Sequence, residues 1–292
     1  MNGLTATRSR PRRSKIGSGV ILLVSLALLG PACVEGSSPA DSQGEGGPEV
    51  EAWARVLRSY QRSGGLDYAS LESDQEDLER YLASLAGAEP AAWAEANQKA
   101  FWSNAYNAIM AHYVLEHYPG IQSVREIDGI FDELEFTVAG EALTLDEIET
   151  RARNLGDPRV HFAVVCASTS CPDLRAEPYR GEEIDRQLDD AMRRFLESPT
   201  KGLRYDEEAN TLWLSSIFKW YAGEFTGGST VVAFFARGKV LGWLLPNLSA
   251  DLAAKIRRRE PKVRYLEYDW SLNDRSESRP LDQSFDQQRG ES

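Results

Sequence analysis

The sequence predicts an α+β fold: a mainly helical single domain packed on a small sheet of short strands. Three observations lead there. Apolar residues recur at helical spacing along most of the chain from Val50 to Arg258. The strand-like stretches are short and do not alternate strictly with helices, unlike a doubly wound sheet. One apolar run rich in β-branched residues, His161 through Cys166, ends before Pro172 and reads as a buried strand.

The elements follow in order. Trp53, Val56, Leu57 and Tyr60 define a first helix over Val50–Arg62, stopped by Gly64-Gly65. Leu66-Asp67-Tyr68 reads as a short extended piece. Gln75–Ala86 forms a second helix on Leu78, Tyr81, Leu82 and Leu85. Pro90 opens a long third helix reaching about His117, where Pro119-Gly120 ends it. Leu134–Val138 and Ala142-Leu143 flank a turn and suggest a hairpin. Thr144-Leu145-Asp146-Glu147 has the pattern of a capping box, so a helix runs from there to about Arg153. After the His161 run, Gly181–Glu197 is an amphipathic helix and Leu203–Tyr205 and Leu212–Leu214 are strands. Ser216–Tyr221, Val231–Ala236 and Leu248–Arg258 read as helices, and Val263–Tyr268 as a last strand.

The ends of the chain have another character. Arg8, Arg10, Arg12, Arg13 and Lys15 precede a short apolar stretch, Val20–Leu29, too short to span a bilayer comfortably. Residues 1–32 are expected to be a signal peptide. Gly30-Pro31-Ala32-Cys33 resembles a bacterial lipobox, which makes Cys33 the expected lipidation site and a bacterial membrane the expected partner, reached through the lipid anchor. Residues 33–49 and 275–292 are polar and expected to be a flexible tether and a disordered tail around one globular domain over 50–274. The expected location is the cell envelope or periplasm. Loss of residues 1–32 takes the net charge from −12 to about −17. That charge opposes phosphate backbones, and no nucleic-acid partner is expected.

Chemistry concentrates in two places. On the long helix Asn104 and Asn107 share a face among aromatic residues. Buried amides need partners, so they either orient a catalytic group or oxyanion or clamp a neighbouring backbone. In the His161 run, Cys166 with an imidazole in reach would supply a thiolate nucleophile. On a regular strand, however, positions 161 and 166 point to opposite faces about 17 Å apart. Cys166 and Cys171 also form a C-x4-C pair, which in an oxidising compartment tends to become a disulfide. Ser168, Ser170, Trp102 and Lys219 complete the candidate binding residues. No metal-binding set and no cofactor pattern is read: G-x-S-x-G, H-E-x-x-H, Walker and dinucleotide-binding motifs are missing.

Phe101-Trp102-Ser103-Asn104-Ala105-Tyr106-Asn107-Ala108, Leu145-Asp146-Glu147-Ile148-Glu149, Asp157 through Pro172, Tyr179-Arg180-Gly181-Glu182 and Ile217-Phe218-Lys219-Trp220-Tyr221 together resemble, in order, the blocks of the family called domain of unknown function 547. The likeness spans about residues 52–273. It implies a single domain, often exported in bacteria, and it assigns no activity. Thr150 stands where the resemblance leads one to expect histidine. Two readings follow. One is a lipid-tethered binding or scaffold domain with a disulfide-stabilised loop and an unidentified envelope partner. The alternative is a thiol-dependent hydrolase or acyl transferase of the envelope using Cys166, with His161 as base and Asn104 or Asn107 as orienter.

Overall fold

A computed structural model of the chain describes residues 47–226 and 240–276. The expected signal peptide, Cys33, most of the tether, the Val231–Ala236 helix and the tail beyond Ser276 lie outside the described residues. The described residues fall in one compact α+β unit.

Helix α4 (Glu95–His117) is the axis of the fold. From Ala100 to Leu115 nearly every side chain is buried, on all faces. A helix apolar all round belongs in the middle of a core, and α4 packs against α3 (Glu76–Leu85), α5 (Leu145–Arg153) and α6 (Ile184–Glu197). It begins later than the sequence suggests. Pro90–Ala92 is a separate 3-10 turn, and Trp93 is extended before α4 starts. α1 (Val50–Tyr60) closes one side by packing Trp53 against Tyr81 of α3, ring centroids 6.0 Å apart.

The strands form three small sheets rather than one. β1 (Gln61–Arg62) and β2 (Gly65–Leu66) make a tight hairpin, followed by α2 (Tyr68–Glu72); of the expected extended piece Leu66-Asp67-Tyr68, Leu66 lies in β2, Asp67 caps α2 and Tyr68 begins it. A Cβ on Gly65 would fall 2.1 Å from the backbone oxygen of Asn273, so glycine there lets the C-terminal segment lie against the hairpin. β3 (Glu135–Val138) and β4 (Glu141–Thr144) form the expected hairpin, and β4 runs into α5 through the capping box: Glu147 N–H donates to Thr144 Oγ1 while Thr144 N–H donates to Glu147 Oε2. β5 (Leu203–Asp206) pairs antiparallel with β6 (Thr211–Leu214), which pairs parallel with β7 (Lys262–Tyr265). α7 (Ile217–Trp220) and α8 (Ala250–Arg259) lie between β6 and β7 in sequence, as a parallel pair requires a crossover.

The His161–Cys166 run is not a strand. Asp157 caps a 3-10 helix, Pro158–Phe162, by accepting from Arg159 N–H, and Pro158 stands at its first turn. From Ala163 the backbone is irregular and buried. Its polar groups are satisfied by side chains and by the C-terminal segment instead of a ladder: Ser168 bridges Leu272, Thr169 N–H donates to Ser271 O, and Asn273 N–H donates to Ala167 O. The run is apolar because it threads the core, not because it alternates in a sheet. Phe162 marks a second cluster, where it meets Phe195, Phe218, Phe225 and Trp243 at centroid distances of 5.2–6.2 Å.

Candidate functional site

The irregular segment delivers its side chains to a cleft of about 290 Å³. Its wall draws on segments far apart in sequence: Tyr106 from α4, Asp146 and Glu149 from α5, His161 from the 3-10 helix, Cys166 and Cys171 from the following loop, Trp220 and Tyr221 from the end of α7 and its C-cap, Tyr268 and Trp270 from the C-terminal segment. His161 and Cys166 thus open into one cavity. The 17 Å separation expected of a strand does not apply, because the chain turns after His161.

Asn107 is what holds the turn. Its Nδ2 donates to Ala163 O at 2.9 Å and its Oδ1 accepts from Val165 N–H at 2.8 Å, so one buried amide fixes the residues just before Cys166. Asn104 does the same to Tyr179, donating to its carbonyl and accepting from its N–H, both at 2.8 Å. Neither amide lines the cleft. Immediately after Cys166 the backbone of Ala167 is left-handed, φ +54°. For a residue with a Cβ this costs roughly 1–2 kcal/mol, and such strain gathers at functional turns.

Around the Cys166 sulfur four polar groups converge; as a thiol Cys166 donates to Cys171 Sγ, and on ionisation it accepts from it instead. Ser168 Oγ lies at 3.1 Å, Tyr268 Oη at 3.3 Å and Cys171 Sγ at 2.8 Å, and Ser168 N–H adds a fourth. Burial pushes the Cys166 thiol up, but hydrogen bonds from Cys171, Ser168 and Tyr268 outweigh it and bring the group down to about 7. Cys171 goes the other way: burial, and its role as donor beside the Cys166 charge, drive it well above an ordinary thiol. The pair is therefore asymmetric: both sulfurs line the cleft, the more exposed Cys166 ionises more readily, and the buried Cys171 holds its proton. Both cysteines are free, and the expected bridge is not formed in this structure. Their sulfurs nevertheless sit inside ordinary contact distance for unbonded heavy atoms, about 3.5–4.0 Å, and outside the S–S bond of about 2.05 Å.

His161 belongs to a second, acidic group. Its Nε2 is 2.7 Å from Glu224 Oε2 and its Nδ1 is 3.9 Å from Glu149 Oε1, with the ring against Tyr221 at 4.1 Å between centroids. It makes no hydrogen bond to Cys166. Burial opposes ionisation of Glu224, but hydrogen bonds from His161 and Arg153 overcome it and hold the carboxyl at about 2. Glu149 is buried with only the longer contacts to His161 and Arg153 and a neighbouring Tyr221 hydroxyl, and burial raises it. Asp146 is also raised, by burial and by Asp132.

The remaining candidates lie elsewhere or serve the loop. Ser168 touches the thiolate. Ser170 Oγ accepts from Asp269 N–H and ties the loop to the C-terminal segment. Trp102 is buried beside another depression, under the Arg151 guanidinium at 5.9 Å, and Lys219 is exposed without lining the cleft. Sequence reasoning did not single out Glu149, Glu224, Tyr221, Tyr268 or Trp270. Glu149 could have been noticed, since it follows Asp146 by three residues on a helix and so shares its face. Tyr221 closes the Ile217–Tyr221 block of the resemblance, whereas Glu224, Tyr268 and Trp270 come from segments far along the chain from Cys166 and carry no local pattern. No group of three or more His, Cys, Asp or Glu residues among those described could hold a metal.

Residues 90–196 match the model of the family described as "Protein of unknown function, DUF547". The matched stretch runs from the turn before α4 to the end of α6 and includes Asn104, Asn107, Glu149, His161, Cys166 and Cys171. Glu224, Tyr268 and Trp270 lie beyond it. No curated protein and no solved structure matches the chain.

Proposed function

We propose that the cleft is the active site of a thiol-dependent hydrolase or acyl transferase with Cys166 as nucleophile. The observation that carries this reading is the gathering of Ser168, Tyr268 and Cys171 polar groups within 3.3 Å of the more exposed of the two sulfurs that line the cavity. A thiol that ionises near neutral pH supplies the thiolate without a dedicated base. It attacks the carbonyl carbon of an ester or amide, a C–S bond forms, and the leaving oxygen or nitrogen departs with a proton. His161, held by Glu224 through Nε2, is the proton carrier in the same cleft. Water or a second nucleophile then cleaves the thioester, gives its proton to His161 and restores the thiolate. Asn107 is a positioning residue in this scheme, through the Ala163 and Val165 backbone.

Incubation with 4-nitrophenyl butyrate tests it. Release of nitrophenol should accompany an acyl adduct mapped to Cys166, and Cys166→Ser should abolish both without lowering the melting temperature. An adduct elsewhere, or turnover untouched by the substitution, would exclude the reading.

The close approach of the two sulfurs favours a second reading, the disulfide-stabilised loop of a binding or scaffold domain. Oxidation by a small-molecule disulfide would join Cys166 to Cys171 and reduce the oxidant to two thiols. Exposure to oxidised glutathione should then remove both thiols from the titratable pool and raise the melting temperature. For location we read residues 1–33 as an export and lipidation signal. Incorporation of labelled palmitate that is lost in Cys33→Ala would support an envelope anchor.

A further inference from the structure

The cleft has a chemical bias that nucleophilic catalysis does not explain. Its outer wall is aromatic. Trp220, Tyr268 and Trp270 pack as a triangle with centroids 4.9, 6.0 and 4.6 Å apart, and Phe131 extends it from Trp270 at 6.1 Å. Trp220 is 49% exposed, the one large apolar side chain among the described residues left so open. The same cleft is lined by Asp146 and Glu149, one α-helical turn apart on α5. No lysine or arginine among the described residues lines the cavity, while Arg125 and Arg153 already stack on two of its rings, Trp270 at 5.5 Å and Tyr221 at 4.6 Å, as cations do on such faces. Among the described residues Asp146 makes no ion pair, and the basic side chains beside Glu149, Arg153 and His161, lie 3.8 and 3.9 Å from it. Aromatic faces attract cations through their quadrupoles, most strongly where water is displaced, and a carboxylate in the same cavity supplies the counter-charge.

Resting on the thiol-dependent reading of the same cleft, we infer that its substrate carries an alkylammonium group, seated between the Trp220–Tyr268–Trp270 wall and the carboxylates of Asp146 and Glu149. The acyl carbon then lies toward Cys166 and the cation toward the open face. Two sources share this chemistry, a small quaternary ammonium compound and a lysine side chain of a peptide.

Binding is measured by calorimetry on the full chain carrying Cys166→Ser, so that no chemistry intervenes and the outcome is independent of turnover. The probes are choline, its neutral isostere 3,3-dimethylbutan-1-ol, and Nα-acetyl-lysine N-methylamide. One of the two cations should bind at least about tenfold more tightly than the neutral alcohol, with choline ahead pointing to a small quaternary ligand and the lysine amide ahead to a peptide. Trp220→Ala and Asp146→Asn, both at exposed positions, should each weaken that binding severalfold while leaving the melting temperature in place. Equal binding of the alcohol and the cations, no binding of either cation, or affinity indifferent to both substitutions would overturn the inference. The nucleophile would be untouched by that failure, since acyl-adduct formation at Cys166 is read separately. Conversely, an inert Cys166 with cation-selective binding would leave this inference standing alone.

Discussion

At the scale of single residues the site is built from opposed electrostatic pressures. Cys166 is partly exposed and Cys171 is buried, and the hydrogen bonds around them send the first thiol down and the second up. Removing a donor should therefore show in the nucleophile. In Cys171→Ala the pH midpoint for Cys166 alkylation should move upward, and Tyr268→Phe should move it in the same direction by withdrawing a hydroxyl. A midpoint unchanged in both variants would mean that the donors do not set the ionisation. Glu224 gives a prediction of different sign. Its folded-state carboxyl lies below its ordinary value, so its stabilising effect is fully present above about pH 4.5 and disappears as pH falls toward about 2. Glu149, raised by burial, acts oppositely: its ionisation opposes folding, and acid relieves that opposition. In denaturant titrations across this window, Glu224→Gln should be less stable than the parent at pH 5 and converge with it by pH 2. A difference that stays constant with pH would remove the assigned ion-pairing.

At the scale of elements, the buried segment from Ala163 to Cys171 depends on amides borrowed from α4. Asn107→Ala leaves the Ala163 carbonyl and the Val165 N–H without partners, and each orphaned buried group costs about 1–3 kcal/mol. Unfolding should show a loss of that order, and alkylation of Cys166 should lose its single-exponential course as the loop samples other positions. Thr144→Ala, by contrast, breaks only the capping box of α5 and should cost about 1 kcal/mol. These elements differ in how far the sequence reveals them. α3, α5, α6 and the β3–β4 hairpin are legible because their periodicity, caps and turns are local. The His161 run is misread as a strand because its β-branched, apolar composition reports burial, and burial here comes from threading between α4 and the C-terminal segment. Asp157-Pro158, an N-cap followed by a proline at the first turn, was the local signal that a 3-10 helix starts there. The acids and aromatics that complete the site are invisible locally, because only the tertiary fold brings Glu224 to His161, Tyr268 to Cys166 and Trp270 to the same cleft.

At the scale of the whole molecule, the cleft lies where two packing clusters meet. One is centred on α4 and the other on the aromatic group around Phe162. His161 and Phe162 are adjacent in sequence, so the same 3-10 helix anchors the second cluster and presents the proton carrier. Phe162→Ala should cost about 3–5 kcal/mol as a fully buried aromatic is replaced by a cavity. Where the protein still folds, it should also displace His161 and depress any turnover more than a surface substitution of equal stability cost. The strongly acidic chain and the cleft's lack of basic lining point the same way, toward ligands that are cationic rather than phosphorylated.

All of this turns on a free, ionised sulfur at the wall of the cavity. The pH dependence of iodoacetamide alkylation of the reduced, desalted, folded protein, read by peptide mass, tests that most directly. Cys166 should be modified with a midpoint near pH 7 while Cys171 stays unreacted until the protein unfolds. A Cys166 that reacts only as pH approaches the ordinary thiol value of about 9, or that reacts no faster than Cys171, would contradict the account.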